Sequence, residues 1–155
     1  MPIADKRTKL PEAADRIKKV LLVDDSVTTL LMERTVLGES AELALFTAAD
    51  GEEALRIASA ERPDLVLMDV VMPRMNGVQA CRAMRSLAGL EAIPIILVAA
   101  RGEDDDVIGG YASGCTGYIT KPLNPAELIA VVEAHLGART ASAGKIKRAA
   151  VRAAL

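Results

Sequence analysis

At 155 residues, with hydrophobic side chains at 51%, charged ones at 26% and aromatic ones at 2%, the chain has the make-up of one globular domain with an aliphatic core, and wholesale disorder is excluded. The formal net charge of -2 hides a segregation: residues 20–136 carry 8 basic and 18 acidic side chains, residues 1–19 carry 6 and 3, and residues 137–155 carry 5 and none. An acidic centre argues against nucleic acid as its ligand, and the lack of a signal peptide or of a run near the roughly 18 apolar residues of a membrane span predicts a cytoplasmic protein.

The predicted elements begin after an arm over 1–18. A first strand, Val20–Val23, ends in Asp24-Asp25, and Ser26 caps a helix over 26–37. The strand Ala44–Ala48 leads to Asp50-Gly51-Glu52-Glu53, whose acids suit the positive end of a helix over 51–60. A turn at Pro63 precedes the strand Leu65–Met68, which ends in Asp69; Pro73 and Asn76-Gly77 then turn the chain into a helix over 77–88. The strand Ile95–Val98 ends in Ala99-Ala100 and is followed by a helix over 104–113, opened by the acids Glu103 to Asp106. That acidic run reads as a solvated helix start rather than a metal site. Gly114 turns into the strand Gly117–Thr120, which ends in Lys121-Pro122, and Asn124 and Pro125 open a helix over 124–136. The tail from 138 is basic and rich in Ala and lies outside the body, with two readings open, disorder or a late helix around Ala143–Leu155.

Apolar runs alternating with helical periodicity indicate an α/β domain of five βα units on a parallel sheet buried on both faces. In such a sheet the ligand site lies beyond the carboxyl ends of the strands. If strands one, three and five lie side by side, Asp24, Asp25, Asp69 and Lys121 converge there. Two carboxylates near 4 Å repel by roughly 4 kcal/mol at an effective dielectric near 20, so the cluster needs cationic charge. Lys121 supplies one charge. A hard divalent ion suits an oxygen-only site, and Mg²⁺ fits because it combines a few carboxylates with phosphate oxygens. A carboxylate facing a metal-neutralised phosphoryl group can attack phosphorus and form an aspartyl phosphate. Each acid alone would read as a cap or turn residue; the constellation is specific.

The stretches Lys19-Val-Leu-Leu-Val-Asp-Asp-Ser26, Pro63-Asp-Leu-Val-Leu-Met-Asp-Val-Val-Met-Pro73, Met75-Asn-Gly77 and Gly114-Cys-Thr-Gly-Tyr-Ile-Thr-Lys-Pro122 resemble the response-regulator receiver family, in particular its single-domain, chemotaxis-regulator-like members. The resemblance covers a receiver domain over 19–137. It implies a flavodoxin-like, doubly wound five-stranded sheet of order 2-1-3-4-5 with five helices. By position it implies Asp69 as phosphoacceptor, Asp24 and Asp25 as the acidic pair holding Mg²⁺, and Val71 as a backbone-carbonyl ligand. Lys121 would contact the phosphoryl group, Tyr118 would be the switch aromatic, and Pro122 would follow a cis peptide bond. The implied phosphoryl source is a histidine kinase or phosphotransfer protein. Output would pass to a protein target through the fourth helix, fifth strand and fifth helix, a face through which receivers also homodimerise.

One position departs from the pattern. The family places Thr or Ser at the end of strand four, and Ala99 stands there. A hydrogen bond to a charged group is worth about 1.5–3 kcal/mol, so its loss weakens coupling between phosphorylation and shape, and a small Ala99 predicts a Tyr118 that sits inward in either state. Gly109-Gly110 costs the fourth helix roughly 1 kcal/mol per glycine relative to Ala, which marks a mobile output face. Two functions therefore stand, a phosphorylated signalling receiver and a phosphate-independent interaction module. A phosphatase lacks its second acid, because Val71 occupies that place, and a nucleotide-binding domain lacks a glycine-rich loop after the first strand, so no enzyme is predicted. The 18 residues after Gly137 are too few for a DNA-binding or other output domain, so a stand-alone receiver is the expectation. Cys81 and Cys115 lack metal-ligand spacing, and His135 reads as a helix C-terminal residue.

Overall fold

The computed structural model describes residues 17–100 and 114–137, with the backbone of 152–153. The apolar runs form five parallel strands: β1 (Lys18–Val23), β2 (Leu43–Ala48), β3 (Leu65–Asp69), β4 (Ile95–Ala99) and β5 (Gly117–Thr120). They lie in the order β2-β1-β3-β4-β5, the 2-1-3-4-5 order that the resemblance implies. Strand one is indeed beside strand three, but β4 separates β3 from β5, so strands one, three and five are not side by side.

β3 and β4 are buried at every residue, the signature of central strands covered on both faces. The period of two then sorts the side chains. Leu21, Val23, Val66, Met68, Ile95 and Leu97 pack on one face, and Val20, Leu22, Leu65, Leu67, Ile96 and Val98 on the other.

Among the described residues four helices cover these faces: α1 (Val27–Leu37), α2 (Gly51–Glu61), α3 (Gly77–Arg85) and α4 (Pro125–Leu136). The helix expected over 104–113 lies outside the described residues. Each start has a local cause. The side chains of Ser26, Asp50, Asn76 and Asn124 accept from the backbone N–H three residues on, and Gln79 completes a capping box with Asn76. Gly137 ends α4 at φ 69°, a left-handed cap that suits glycine.

The tail differs from expectation. Arg152–Ala153 form a short strand, β6, antiparallel to Gly117 and Tyr118 of β5, where disorder or a late helix was expected. An edge strand carries open N–H and C=O groups, and β6 satisfies part of that edge.

Arg85 ties the end of α3 to the starts of β4 and β5. Its guanidinium donates to the carbonyls of Gly114 at 2.8 Å, Leu90 at 3.1 Å and Ile93 at 2.7 Å.

Candidate functional site

The site sits where β1, β3 and β5 end. Asp24 follows β1 and is buried, Asp25 beside it is exposed, and Asp69 is the last residue of β3 and buried. Each of the three offers a carboxylate oxygen within 4.8 Å of the others. Lys121, just past β5, places its Nζ 3.3 Å from Asp69 Oδ2 and 3.6 Å from Asp24 Oδ2. It reaches them across the end of β4, where Ala99 stands, and the Lys121 N–H donates to the Ala99 carbonyl at 2.8 Å. The four residues singled out by sequence are therefore brought together despite the intervening strand.

Local structure fixes the acids. The Ser26 N–H donates to Asp24 Oδ1 at 2.8 Å, so the start of α1 holds one oxygen of Asp24 and leaves the other to the pocket. Gly77 donates its N–H to the Val70 carbonyl at 2.7 Å. A Cβ at Gly77 would collide with the backbone carbonyl of Asp69, which gives the Asn76-Gly77 turn a reason to lack a side chain there. The Lys121-Pro122 bond is cis, as the resemblance implies.

The electrostatics are those of a cluster short of positive charge. Burial pushes the Asp69 carboxyl up to about 6, and the negative charge of Asp24 adds to it, while Lys121 pulls the other way. Asp24 is also raised by burial, against the Ser26 hydrogen bond and Lys121. Burial works against the Lys121 ammonium, yet Asp69 and Asp24 outweigh it and its pKa is raised. Lys121 stays charged and two of the three acids hold protons more tightly than usual. An oxygen-only donor set with one ligand exposed to water matches the preference of Mg²⁺ for a few carboxylates and retained waters, so these residues fit that ion.

The other expected positions are placed as follows. Val71 lies two residues beyond Asp69 and is 55% exposed. Ala99 is fully buried. Tyr118 is half-buried and packs against the cluster that contains Ala99, Leu97 and Cys115. His135 Nδ1 lies 3.0 Å from the Val131 carbonyl in the last turn of α4, away from the acids in sequence and role. Cys81 and Cys115 are buried and not joined in a disulfide, and burial pushes Cys115 up to about 11. Glu103 to Asp106 and Gly109-Gly110 lie outside the described residues.

Sequence reasoning missed Glu33. It lies on the inner face of α1 at 2% exposure, and its Oε1 has no hydrogen-bond partner. Burial, with the charges of Asp24 and Asp69, pushes it up to about 8. The signal was available, since Leu30, Glu33 and Leu37 fall on one face of α1 at spacings of three and four.

This arrangement has a recognised counterpart. The family model of the response regulator receiver domain matches residues 20–133. The chain belongs to the response regulator receiver family. Among curated relatives it is 39% identical over 121 residues to the alkaline phosphatase synthesis transcriptional regulatory protein PhoP of Bacillus subtilis, covering 77% of this chain and 48% of that protein. It is 40% identical over 120 residues to the DNA-binding response regulator MtrA of Mycobacterium tuberculosis, covering 77% and 50%. The chain thus spans about half the length of the curated relatives it matches. Among solved structures, a response regulator of Chloroflexus aurantiacus aligns with a TM-score of 0.73 at 32% identity, covering 79% of this chain and 99% of that one. The chemotaxis protein CheY4 of Vibrio cholerae aligns with a TM-score of 0.73 at 35% identity, covering 77% and 99%. The receiver fold and the two-component signalling class follow from these matches.

Proposed function

We propose that this receiver accepts a phosphoryl group on Asp69 from a phosphohistidine of a histidine kinase or phosphotransfer protein, and signals through protein contacts. The observation that carries the reading is the convergence of Asp24, Asp25, Asp69 and Lys121 at one end of the sheet. In the transfer step a carboxylate oxygen of Asp69 attacks phosphorus, the P–N bond to the donor imidazole breaks, and that nitrogen keeps the bonding pair. Asp24 and Asp25, with Asp69 and the Val71 carbonyl, would hold Mg²⁺, which when bound supplies charge that neutralises the phosphoryl oxygens. Lys121 is paired with Asp69 before transfer; afterwards its ammonium serves the phosphoryl oxygens from the same position. The product is a modified receiver, and no external substrate is turned over.

Three of the exposed large apolar side chains, Val27, Leu31 and Val71, follow site residues in sequence: Val27 and Leu31 lie one helical turn apart on α1, and Val71 is just past Asp69. Apolar surface beside a polar pocket suits a protein donor. The output face is read as β5 and α4. MtrA is named as a DNA-binding response regulator, but that concerns a chain about twice as long. No described helix is long and apolar enough to cross a membrane, and the two free thiols fit a reducing compartment; the reading places the chain in the cytoplasm.

Ala99 favours a second reading, in which the fold signals without responding to phosphate. Incubation with a small phosphodonor and Mg²⁺, followed by intact mass measurement, separates the two. One added phosphoryl group that requires both Asp69 and Mg²⁺ supports the receiver reading; no addition to the folded protein supports the phosphate-independent module.

A further inference from the structure

Two buried side-chain oxygens lack a hydrogen-bond partner among the described residues, Glu33 Oε1 and Glu133 Oε2. Glu33 is the more demanding case. It is buried on α1 between Leu30 and Leu37, which pack into the apolar layer on that face of the sheet, and at 2% exposure water does little to offset its charge. A carboxylate cannot be carried there without a partner, whereas a neutral acid can. The site charges nevertheless reach it. Asp24 from the end of β1 and Asp69 from the end of β3 oppose its ionisation, and Lys121 from the end of β5 favours it. The ionisable residues of α4, which packs against α1, are Glu127, Glu133 and His135, and none of them is among the charges that shift Glu33. β2 carries no ionisable side chain. The protonation of Glu33 is thus set by burial and by the charge balance of the phosphoacceptor pocket, which it touches through no hydrogen bond.

We propose that Glu33 is a positioning residue of that pocket: a buried acid that stays protonated while no cation is bound and releases its proton to solvent when a divalent cation arrives, so that cation binding and proton release are linked. The inference rests on the receiver reading above. Three carboxylates and one ammonium leave the pocket negative, which keeps Glu33 neutral. A divalent cation held by Asp24, Asp25 and Asp69 reverses the local sign and favours the carboxylate. A cleft lined by Thr29, Met32, Lys121, Pro122 and Leu123 opens beside the site. Thr29 is one turn before Glu33 on the same face of α1, so the cleft is the nearest solvent-facing feature on that side of the helix.

By linkage, each pH unit by which the cation lowers the Glu33 midpoint raises cation affinity about tenfold across that step. The step lies above that of Asp69, which titrates at about 6, and below that of Cys115, at about 11. The test is calorimetric titration of the full chain with MgCl₂ between pH 6.5 and 9 in two buffers of different ionisation enthalpy, beside Glu33→Gln, which keeps the shape and removes the proton. Expected is an affinity that rises at least about threefold more between pH 7 and 9 in the native chain than in the variant, with a larger proton release above pH 7 in the native chain than in the variant. Superimposed profiles in chains that both bind Mg²⁺ overturn this inference and leave the receiver reading standing; failure of the native chain to bind Mg²⁺ overturns both. Should Glu33→Gln not fold, carbon-13 NMR of the Glu33 carboxyl in the native chain decides. A midpoint near 8 that falls on adding MgCl₂ supports the proposal, and an ordinary midpoint near 4.5, or one unmoved by MgCl₂, overturns it.

Discussion

Asp69→Asn should stabilise the metal-free protein, and only above a definite pH. Asp69 is 5% exposed, and its carboxyl is raised from 3.8 to about 6 despite the ammonium 3.3 Å away. The folded state therefore binds this proton more tightly than the unfolded chain does. The stability that the proton contributes is fully present below pH 3.8 and is lost as pH rises to about 6. At 1.36 kcal/mol per unit, the ionised carboxylate costs the fold on the order of 3 kcal/mol relative to the acid. Asn resembles the neutral acid and titrates nowhere in this range. Urea unfolding in chelator should show the two proteins diverging between pH 4 and 6.5, with Asp69→Asn ahead by up to about 3 kcal/mol at pH 8. Saturating Mg²⁺ should reverse the order, because the native chain keeps all three carboxylates and gains more from binding. A difference independent of pH, or a variant less stable than the native chain at pH 8 without metal, would refute the electrostatic account of the site.

Arg85→Ala removes the donor shared by the Leu90, Ile93 and Gly114 carbonyls and should cost about 1–3 kcal/mol in chemical denaturation. Gly77→Ala should shift the Asp69 backbone that its Cβ strikes, lowering phosphorylation more than stability when intact mass and thermal melting are compared. Ala99→Thr supplies the hydroxyl missing at the end of β4 and should increase the phosphorylation-dependent change at Tyr118, read from the tyrosine ring signals by NMR; an equal response in both proteins would remove Ala99 as the cause of a weak switch.

Much of the fold was legible because its strands are buried on both faces. Leu65–Met68 and Ile95–Val98 read as continuous apolar runs, and β3 and β4 are the most buried strands of the sheet. Helix starts were legible where one side chain decides them, as at Ser26, Asn124 and Pro125. Spatial order was not contained in local pattern: nothing in the apolar run of β4 says that it separates β3 from β5, and the order came from family resemblance. The site was legible because charged residues at strand ends converge by topology, but its depth was not. Glu33 went unnoticed because attention fell on strand ends, whereas its role comes from the inward face of a helix. The β6 pairing was missed for a different reason, since Arg152–Ala153 carry no strand pattern and pair with a backbone edge rather than with side chains.

The central claim is the covalent one, and the most direct measurement is chemical trapping of the acyl phosphate. The protein would be phosphorylated with a small phosphodonor and Mg²⁺, reduced at once with borohydride, digested and mapped by tandem mass spectrometry. The account predicts that Asp69 alone is converted to homoserine, in a Mg²⁺-dependent reaction that Lys121→Ala strongly depresses. Reduction at another acid, or none at Asp69 while the protein remains folded, would contradict it.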